Sequence, residues 1–372
     1  MAPIAARAAD DVARVLLCDD SAVIRTAMAR MLESDPAVTV PVRVANGQLA
    51  VEAVKRERFD VVVLDIEMPV MDGLTALPLL LRADPGLRVV MASTLTTRGA
   101  DIALRALRLG AADYVPKPSV AAIADDSFKR ELLAKVKGLA RLRRRAGGGP
   151  VAPSRPLTLA RPTRRETPLL LAVGSSTGGP QALFTFVQGL GKNVPVPVII
   201  TQHMPATFIP ILAEHLTKLG GLPCTEAHDG EALLPGGIHL APGNRHLLVA
   251  GRPGALRIRL SDGPAVNFCR PAVDPMLQSA AATCSGRVLV VMLTGMGHDG
   301  RDGTRAVVEA GGVALAQDEA TSVVWGMPGA IATAGFCHRV LPLPALAGAA
   351  LEFLRAGVSQ SQVLRVDAGP RA

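Results

Sequence analysis

The chain has 372 residues, a length that favours two domains. Hydrophobic residues make up 49% of it and aromatic residues only 3%. The cores must therefore be aliphatic, and few rings are left to stack on bases, which argues against nucleic-acid binding. The net charge of +8 lies largely between residues 135 and 165, so an acidic partner is compatible with the chain but DNA is not required.

Neither a membrane span nor an export signal is expected. Each long apolar run is interrupted by charge or glycine, and residues 1–11 lack the apolar centre of a signal peptide. The five cysteines are scattered without C-x-x-C spacing, which favours reduced thiols over a disulfide framework or a zinc site. We therefore expect a soluble, cytoplasmic protein without membrane insertion.

Residues 12–135 alternate short apolar strands with amphipathic helices, which predicts an α/β domain with a five-stranded, doubly wound parallel sheet. The predicted strands cover residues 14–18, 39–44, 61–64, 88–92 and 113–115. The predicted helices begin after Ser21 and then cover about 48–56, 73–82, 100–109 and 128–145.

Polar residues follow the predicted strands of this domain. Asp19 and Asp20 follow the first strand, Asp65 the third, Ser93 the fourth and Lys117 the fifth. These ends converge on one crevice in a parallel sheet, and three carboxylates there would repel each other without a cation. Mg²⁺ suits such oxygen ligands, and the cation, lysine and hydroxyl together would neutralise a phosphoryl group on Asp65. The alternative is that the first two aspartates cap a helix and Lys117 is a solvated loop residue.

The segments LLCDDS, VVVLDIEMPVMDG, VVMAST and ADYVPKP resemble the receiver domain of bacterial response regulators. The resemblance implies phosphorylation of Asp65 by a partner histidine kinase. It also implies a switch in which Ser93 moves to the phosphoryl group and Tyr114 turns inward, with Lys117 completing the phosphoryl site. The implied Mg²⁺ ligands are the carboxylates of Asp19, Asp20 and Asp65 and the backbone carbonyl of Glu67.

Residues 136–167 change in composition. Arginine clusters, a glycine triplet and repeated prolines predict a basic, solvated linker beyond the tail of the last helix. A docking segment for an acidic surface is the alternative.

Residues 168–358 predict a second doubly wound α/β domain. The predicted strands cover residues 169–173, 197–201, 287–293 and 312–316. Short alternating runs between Pro223 and Gly263, broken by proline, glycine and asparagine, predict a small antiparallel excursion.

Three chemically active residues follow strands of this second sheet. Ser176 is the centre of the G-x-S-x-G run at 174–178, His203 follows the next strand, and Asp299 lies in the glycine-rich turn after RVLVVML. Their convergence would form a Ser-His-Asp arrangement, in which histidine takes the serine proton and aspartate orients the imidazole. Taken singly, the serine turn also fits a helix cap or phosphate-binding turn, and His203 fits a packed histidine. His298 is a rival base, but it shares a turn with Asp299.

The order Ser, His, Asp along the chain differs from the Ser, Asp, His order of α/β-hydrolases, so G-x-S-x-G alone does not assign that fold. We expect the backbone N–H groups of Thr177 and Met296 to stabilise an oxyanion.

GSSTGGP, QHMP, LAPG, LTGMGHDG and GMPGAI resemble the catalytic domain of chemotaxis protein-glutamate methylesterases, the CheB family. The resemblance implies a phosphorylation-activated serine hydrolase that removes γ-methyl esters from glutamates of methyl-accepting chemotaxis receptors and deamidates receptor glutamines. It implies Ser176, His203 and Asp299 as the triad, Mg²⁺ only in the receiver domain, and no cofactor for hydrolysis. Two alternatives stay open at this point: the same triad with a non-chemotactic substrate, and an output domain that only binds a partner.

Overall fold

The computed structural model describes residues 12–93, 96–117, 126–146, 157–160 and 166–356. The chain divides into two compact units between Pro153 and Ser154, inside the segment predicted to be the linker. The N-terminal tail, residues 147–156 and 161–165 of that linker and the last sixteen residues lie outside the described ranges.

The first domain is a parallel five-stranded sheet in the order β2-β1-β3-β4-β5 with helices between the strands, which confirms the predicted class. Its strands are β1 Ala13–Cys18, β2 Val38–Val44, β3 Val61–Asp65, β4 Arg88–Ser93 and β5 Asp113–Pro116. Its helices are α1 Ala22–Glu33, α2 Gly47–Arg56, α3 Gly73–Ala83, α4 Thr97–Arg108 and α5 Asp126–Ala146.

Local chemistry accounts for these elements. β3 is buried along its whole length, as an almost uninterrupted apolar run in a covered parallel sheet should be. Side chains cap the helices: the Ser21 hydroxyl accepts from Ile24 N, and the Asp72 carboxylate accepts from Thr75 N. The strand ends are thereby fixed at one edge, where the polar residues gather.

Helix α5 extends into the segment assigned to the linker from residue 136, so this linker boundary lies too early. Arg143 pairs with Asp84 at 2.6 Å and Arg144 with Asp60 at 3.2 Å. Part of the arginine cluster therefore packs on the first domain instead of belonging to a solvated hinge.

The second domain contains a parallel seven-stranded sheet in the order β14-β13-β12-β6-β7-β9-β8. Its strands are β6 Leu170–Ser175, β7 Val198–Gln202, β8 Cys224–Glu226, β9 Ile238–Leu240, β12 Val288–Met292, β13 Val313–Gln317 and β14 Arg339–Leu341, and a separate pair is β10 His246–Arg252 with β11 Ala255–Ser261. Its helices are α6 Gly179–Leu190, α7 Ile209–Gly220, α8 Val273–Thr283, α9 Arg301–Glu309, α10 Met327–Thr333 and α11 Leu343–Ala356.

The antiparallel excursion is smaller than the sequence suggested. β10 and β11 form an antiparallel hairpin, but β8 and β9 join the main sheet in parallel. Strands of three residues carry too little pattern to distinguish the two arrangements. The hairpin packs against α8 and extends the core through Leu247, Val249 and Ile258.

The second domain begins before its first strand. Leu157 and Leu159 pack on its hydrophobic core, and Ala160 N donates to the carbonyl of Cys337 at 2.8 Å. None of the helices in the described ranges combines the length and apolar character needed to cross a bilayer.

Candidate functional site

Ser176 occupies a sharp turn between β6 and α6. Gly178, which precedes the helix, has φ of 74°, and a Cβ there would lie 2.5 Å from Val323 Cγ2. A side chain at that position is therefore excluded on two grounds. Ser176 is half-buried, whereas Ser175 is fully buried and donates its hydroxyl to Gln202 Oε1 at 2.6 Å. Of the two adjacent serines, Ser176 is the one presented to the crevice.

Gln202 is a residue that the sequence analysis missed. Its buried side-chain amide donates to the backbone carbonyls of Ser176 and His203, both at 3.0 Å. His203 N in turn donates to the carbonyl of Ser175 at 3.0 Å. Ser176 and His203 therefore leave neighbouring strands side by side. The available signal was a single amide side chain at the end of an otherwise apolar strand.

His203 and Asp299 form a hydrogen-bonded pair. His203 Nε2 lies 2.8 Å from Asp299 Oδ2, and the aspartate is 2% exposed. The carboxylate also accepts from the backbone N–H groups of Val273 at 2.6 Å, Asp274 at 3.2 Å and Gly300 at 3.0 Å. Burial alone would raise the pKa of Asp299, but the bond from His203 and these amides hold it below its ordinary value. Asp299 is therefore ionised at neutral pH.

Contacts of the His203 imidazole also shift its pKa. Burial lowers its pKa, but the hydrogen bonds and charges of Asp299 and Cys269 outweigh burial and raise the pKa to about 9. Cys269 Sγ lies 3.5 Å from Nδ1. Since Asp299 occupies Nε2, proton exchange with a serine has to use Nδ1, which in this structure contacts the Cys269 thiol.

Ser176 makes no side-chain hydrogen bond to His203 in the described structure. Catalytic hydrogen bonds commonly tighten only when substrate is present.

The loop before α8 supports the pair. Asn267 Nδ2 donates to Asp299 Oδ1 at 3.0 Å and to Asp274 Oδ2 at 2.8 Å. Burial, and then the charge of Asp299, raise the pKa of Asp274, while an amide bond from Gly303 opposes the shift. Asn267, Cys269 and Asp274 were not identified from sequence, because they act only through contacts with residues distant in the chain.

The turn after β12 approaches Ser176 from the other side. A Cβ on Gly295 would lie 3.0 Å from Ser176 Cβ and 2.3 Å from Met327 Sδ, so the glycine permits close contact. Among the described residues, the N–H groups of Thr177 and Met296 have no hydrogen-bond acceptor. Two unused donors near the serine are what an oxyanion site requires. His298, the rival base, is exposed.

The first domain has a separate acidic site. Carboxylate oxygens of Asp19, Asp20 and Asp65 lie within 4.8 Å of one another, with Asp19 and Asp65 buried and Asp20 exposed. Lys117 Nζ lies 2.6 Å from Asp65 Oδ2 and 3.2 Å from Asp19 Oδ2. Burial is the main cause that raises the pKa of Asp65 to about 6; Asp19 adds to it and Lys117 opposes it. Burial opposes ionisation of Lys117 as well, but Asp65 and Asp19 raise its pKa.

The two remaining residues of the predicted switch are buried. Ser93 Oγ donates to the carbonyl of Gly99 at 2.8 Å. Tyr114 is inward-facing, with Lys135 Nζ 4.9 Å from the ring centroid and also bonded to the Tyr114 carbonyl. Lys135 is itself buried and pairs with Asp113 at 3.4 Å. Sequence analysis did not identify this lysine, which fixes the strand that carries Tyr114.

Together these features define a two-domain α/β protein with a receiver-type acidic crevice and a hydrolase-type site. The family profile described as CheB methylesterase matches residues 171–350, and the profile described as response regulator receiver domain matches residues 15–125.

Two relatives are similar in sequence to this protein over nearly the whole chain. A protein-glutamate methylesterase/protein-glutamine glutaminase of group 2 operon from Rhodospirillum centenum is 52% identical over 362 residues, covering 90% of this chain and 92% of that protein. The relative of the same activity name from Azospirillum brasilense is 52% identical over 359 residues, covering 90% and 91%. The crystal structure of the Thermotoga maritima CheB methylesterase catalytic domain is 37% identical, with a TM-score of 0.49, and covers 50% of this chain and all of that one. This chain belongs to the CheB methylesterase family.

Proposed function

We propose that this protein is a phosphorylation-activated serine hydrolase that removes γ-methyl esters from glutamates of methyl-accepting chemotaxis receptors and deamidates specific receptor glutamines. The observation that carries the proposal is the hydrogen bond between the half-buried His203 and the buried Asp299, 2.8 Å long, beside a half-buried Ser176 on the neighbouring strand end. The names of relatives 52% identical to this chain specify the substrate class. A cytoplasmic location is part of the same proposal.

Ester hydrolysis proceeds in two halves. Ser176 Oγ attacks the γ-carbonyl carbon while its proton passes to His203 Nδ1, and the amides of Thr177 and Met296 hold the tetrahedral oxyanion. His203 returns the proton to the departing methoxide, which leaves as methanol, and Asp299 stabilises the transient imidazolium. Water then attacks the acyl-enzyme by the same route and releases glutamate. In deamidation the protonated leaving group is ammonia.

The first domain has the features needed to control this reaction through phosphorylation. Its three carboxylates face one ammonium, Lys117, so the cluster retains excess negative charge and offers the hard oxygen ligands that Mg²⁺ prefers. Asp19, Asp20 and Asp65 would hold the ion, which supplies positive charge to a phosphoryl group when bound. We assign Asp65 as the acceptor of a phosphoryl group from a chemotaxis histidine kinase, with Lys117 and Ser93 as its partners and Tyr114 as the aromatic of the switch.

The test is methanol release from methylated receptor membranes, with and without a small-molecule phosphodonor. We expect release by the wild-type chain, stimulation by the phosphodonor with Mg²⁺, and loss of activity by several orders of magnitude in Ser176→Ala. Ser175→Ala is the matched control, since it removes the adjacent buried hydroxyl, and it should retain measurable turnover. Absence of methanol release by the wild type, or full activity in Ser176→Ala, would overturn the proposal.

A further inference from the structure

Two exposed apolar side chains flank the candidate triad. Among the described residues of the second domain, the exposed large apolar side chains are Leu234, Phe268 and Met296. Phe268 is 104% exposed, as open as in an isolated peptide, and Met296 is 38% exposed. An aromatic side chain fully in water contributes nothing to the core and leaves its whole surface available for contact with a partner.

Phe268 is held between two contacts with the triad. Asn267, the residue before it, donates to Asp299 Oδ1 at 3.0 Å, and Cys269, the residue after it, has its sulfur 3.5 Å from His203 Nδ1. Since one trans peptide spans about 3.8 Å, the Cα of Phe268 lies within about 10 Å of the imidazole. The two residues beside Phe268 in the chain therefore hold its backbone close to the candidate triad.

The backbone of the turn that carries Phe268 is strained. Asn267 has φ of 52° and Phe268 of 63°, in the left-handed region that a bulky residue rarely adopts. The turn is closed by hydrogen bonds in both directions between Val266 and Cys269, at 3.0 and 2.9 Å. Glycine or asparagine would satisfy such a turn at lower cost, so the ring is kept despite the backbone, as at sites of function.

Met296 bounds the other side of the site. It follows Gly295, whose missing side chain would lie 3.0 Å from Ser176 Cβ. Met296 thus follows a glycine that lies against Ser176, and Phe268 lies between residues that contact Asp299 and His203. A polypeptide that presents a γ-glutamyl group to Ser176 comes close to both.

We propose that Phe268, together with Met296, recognises the protein substrate by contacting an apolar side chain that neighbours the modified glutamate. The inference rests on the proposed function and specifies how the enzyme distinguishes a glutamyl ester in a protein from a free ester. The occupant is the substrate polypeptide, because Phe268 and Met296 each adjoin residues of the site where that polypeptide reacts.

The experiment compares kcat/KM for methylated receptor with kcat/KM for a small N-acylated glutamate γ-methyl ester amide. The variants are Phe268→Asn, which suits a left-handed turn but lacks the ring, Phe268→Trp, which restores an aromatic surface, and Leu234→Ala as the matched control. We expect the receptor-to-small-ester ratio to fall about tenfold in Phe268→Asn, mainly through KM for the receptor. It should recover in Phe268→Trp and hold its wild-type value in Leu234→Ala.

The inference is overturned if the ratio in Phe268→Asn equals that of the wild type, whether both rates are retained or both fall together. It is also overturned if the ring instead joins two copies of the chain, seen as a wild-type dimer in sedimentation that Phe268→Asn dissociates. Failure of the wild-type chain to hydrolyse the receptor ester is a different result and rejects the proposed function itself.

Discussion

The raised pKa of His203 predicts a steep dependence of hydrolysis on pH. A general base must be neutral to accept the serine proton, and a pKa of about 9 leaves the imidazole mostly protonated at neutral pH. The neutral fraction is about one in a hundred at pH 7 and about one half at pH 9. We therefore expect kcat/KM for the ester to rise about fiftyfold between these pH values.

Replacing the charged partner tests the cause of that rise. Asp299→Asn removes the carboxylate that holds the imidazolium, so burial, now opposed only by Cys269, should lower the pKa of His203. The rate should drop by about four orders of magnitude, and the residual activity should no longer increase above pH 7.

The assay is the initial rate of methanol release from pH 6 to pH 10, with Ser176→Ala subtracted as the blank for hydroxide-catalysed hydrolysis. The His203 imidazole is also titrated by NMR in the Ser176→Ala background, which reports its pKa without turnover. A wild-type profile that is already flat from pH 7, or a titration near 9 that persists in Asp299→Asn, would refute the reasoning.

Three further outcomes are expected. Gln202→Ala should lower kcat by about tenfold to a hundredfold with little change in KM, because the turn that carries Ser176 loses the hydrogen bonds from the Gln202 amide. Steady-state kinetics test this, with Gln188→Ala on the exposed face of α6 as the control. Asp65→Asn should abolish phosphorylation and raise the melting temperature of the first domain at pH 7. The folded-state pKa of about 6 exceeds the ordinary value of 3.8, so the charged carboxylate destabilises the fold progressively between these pH values and fully above pH 6. Calorimetry should show the gain vanish as pH falls to about 4. If the unphosphorylated first domain inhibits the second, removal of residues 1–153 should raise unphosphorylated esterase activity and abolish its response to a phosphodonor; equal or lower activity would argue against such inhibition.

The sequence predicted the elements of both sheets well, because buried parallel strands such as β3 and β12 are continuous apolar runs. It also placed Ser176, His203 and Asp299 after strands of one sheet. The parallel pairing of β8 and β9 was wrongly expected to be antiparallel, since three-residue strands do not encode their partner.

The finer geometry of the site depends on contacts that no local pattern contains. Asp299 lies several residues after the end of β12, yet its carboxylate accepts a hydrogen bond from the first backbone amide of α8. Asn267, 32 positions away in sequence, donates a hydrogen bond to Asp299, and Gln202, 26 positions from Ser176, donates one to the Ser176 carbonyl. The use of Nε2 for the carboxylate, which leaves Nδ1 for the serine, follows from the direction in which the imidazole ring enters this pocket.

The packed ends of the connecting segment have a consequence for control in the intact protein. The first domain extends through α5 to Ala146, and Leu157 already packs against the core of the second, so only residues 147–156 separate the two in sequence. Two partners joined by so few residues of chain meet at an effective concentration of about a millimolar. An affinity too weak to register between separated domains in dilute solution is then sufficient to govern the linked pair, and a modest change in it on phosphorylation is enough to reset the enzyme.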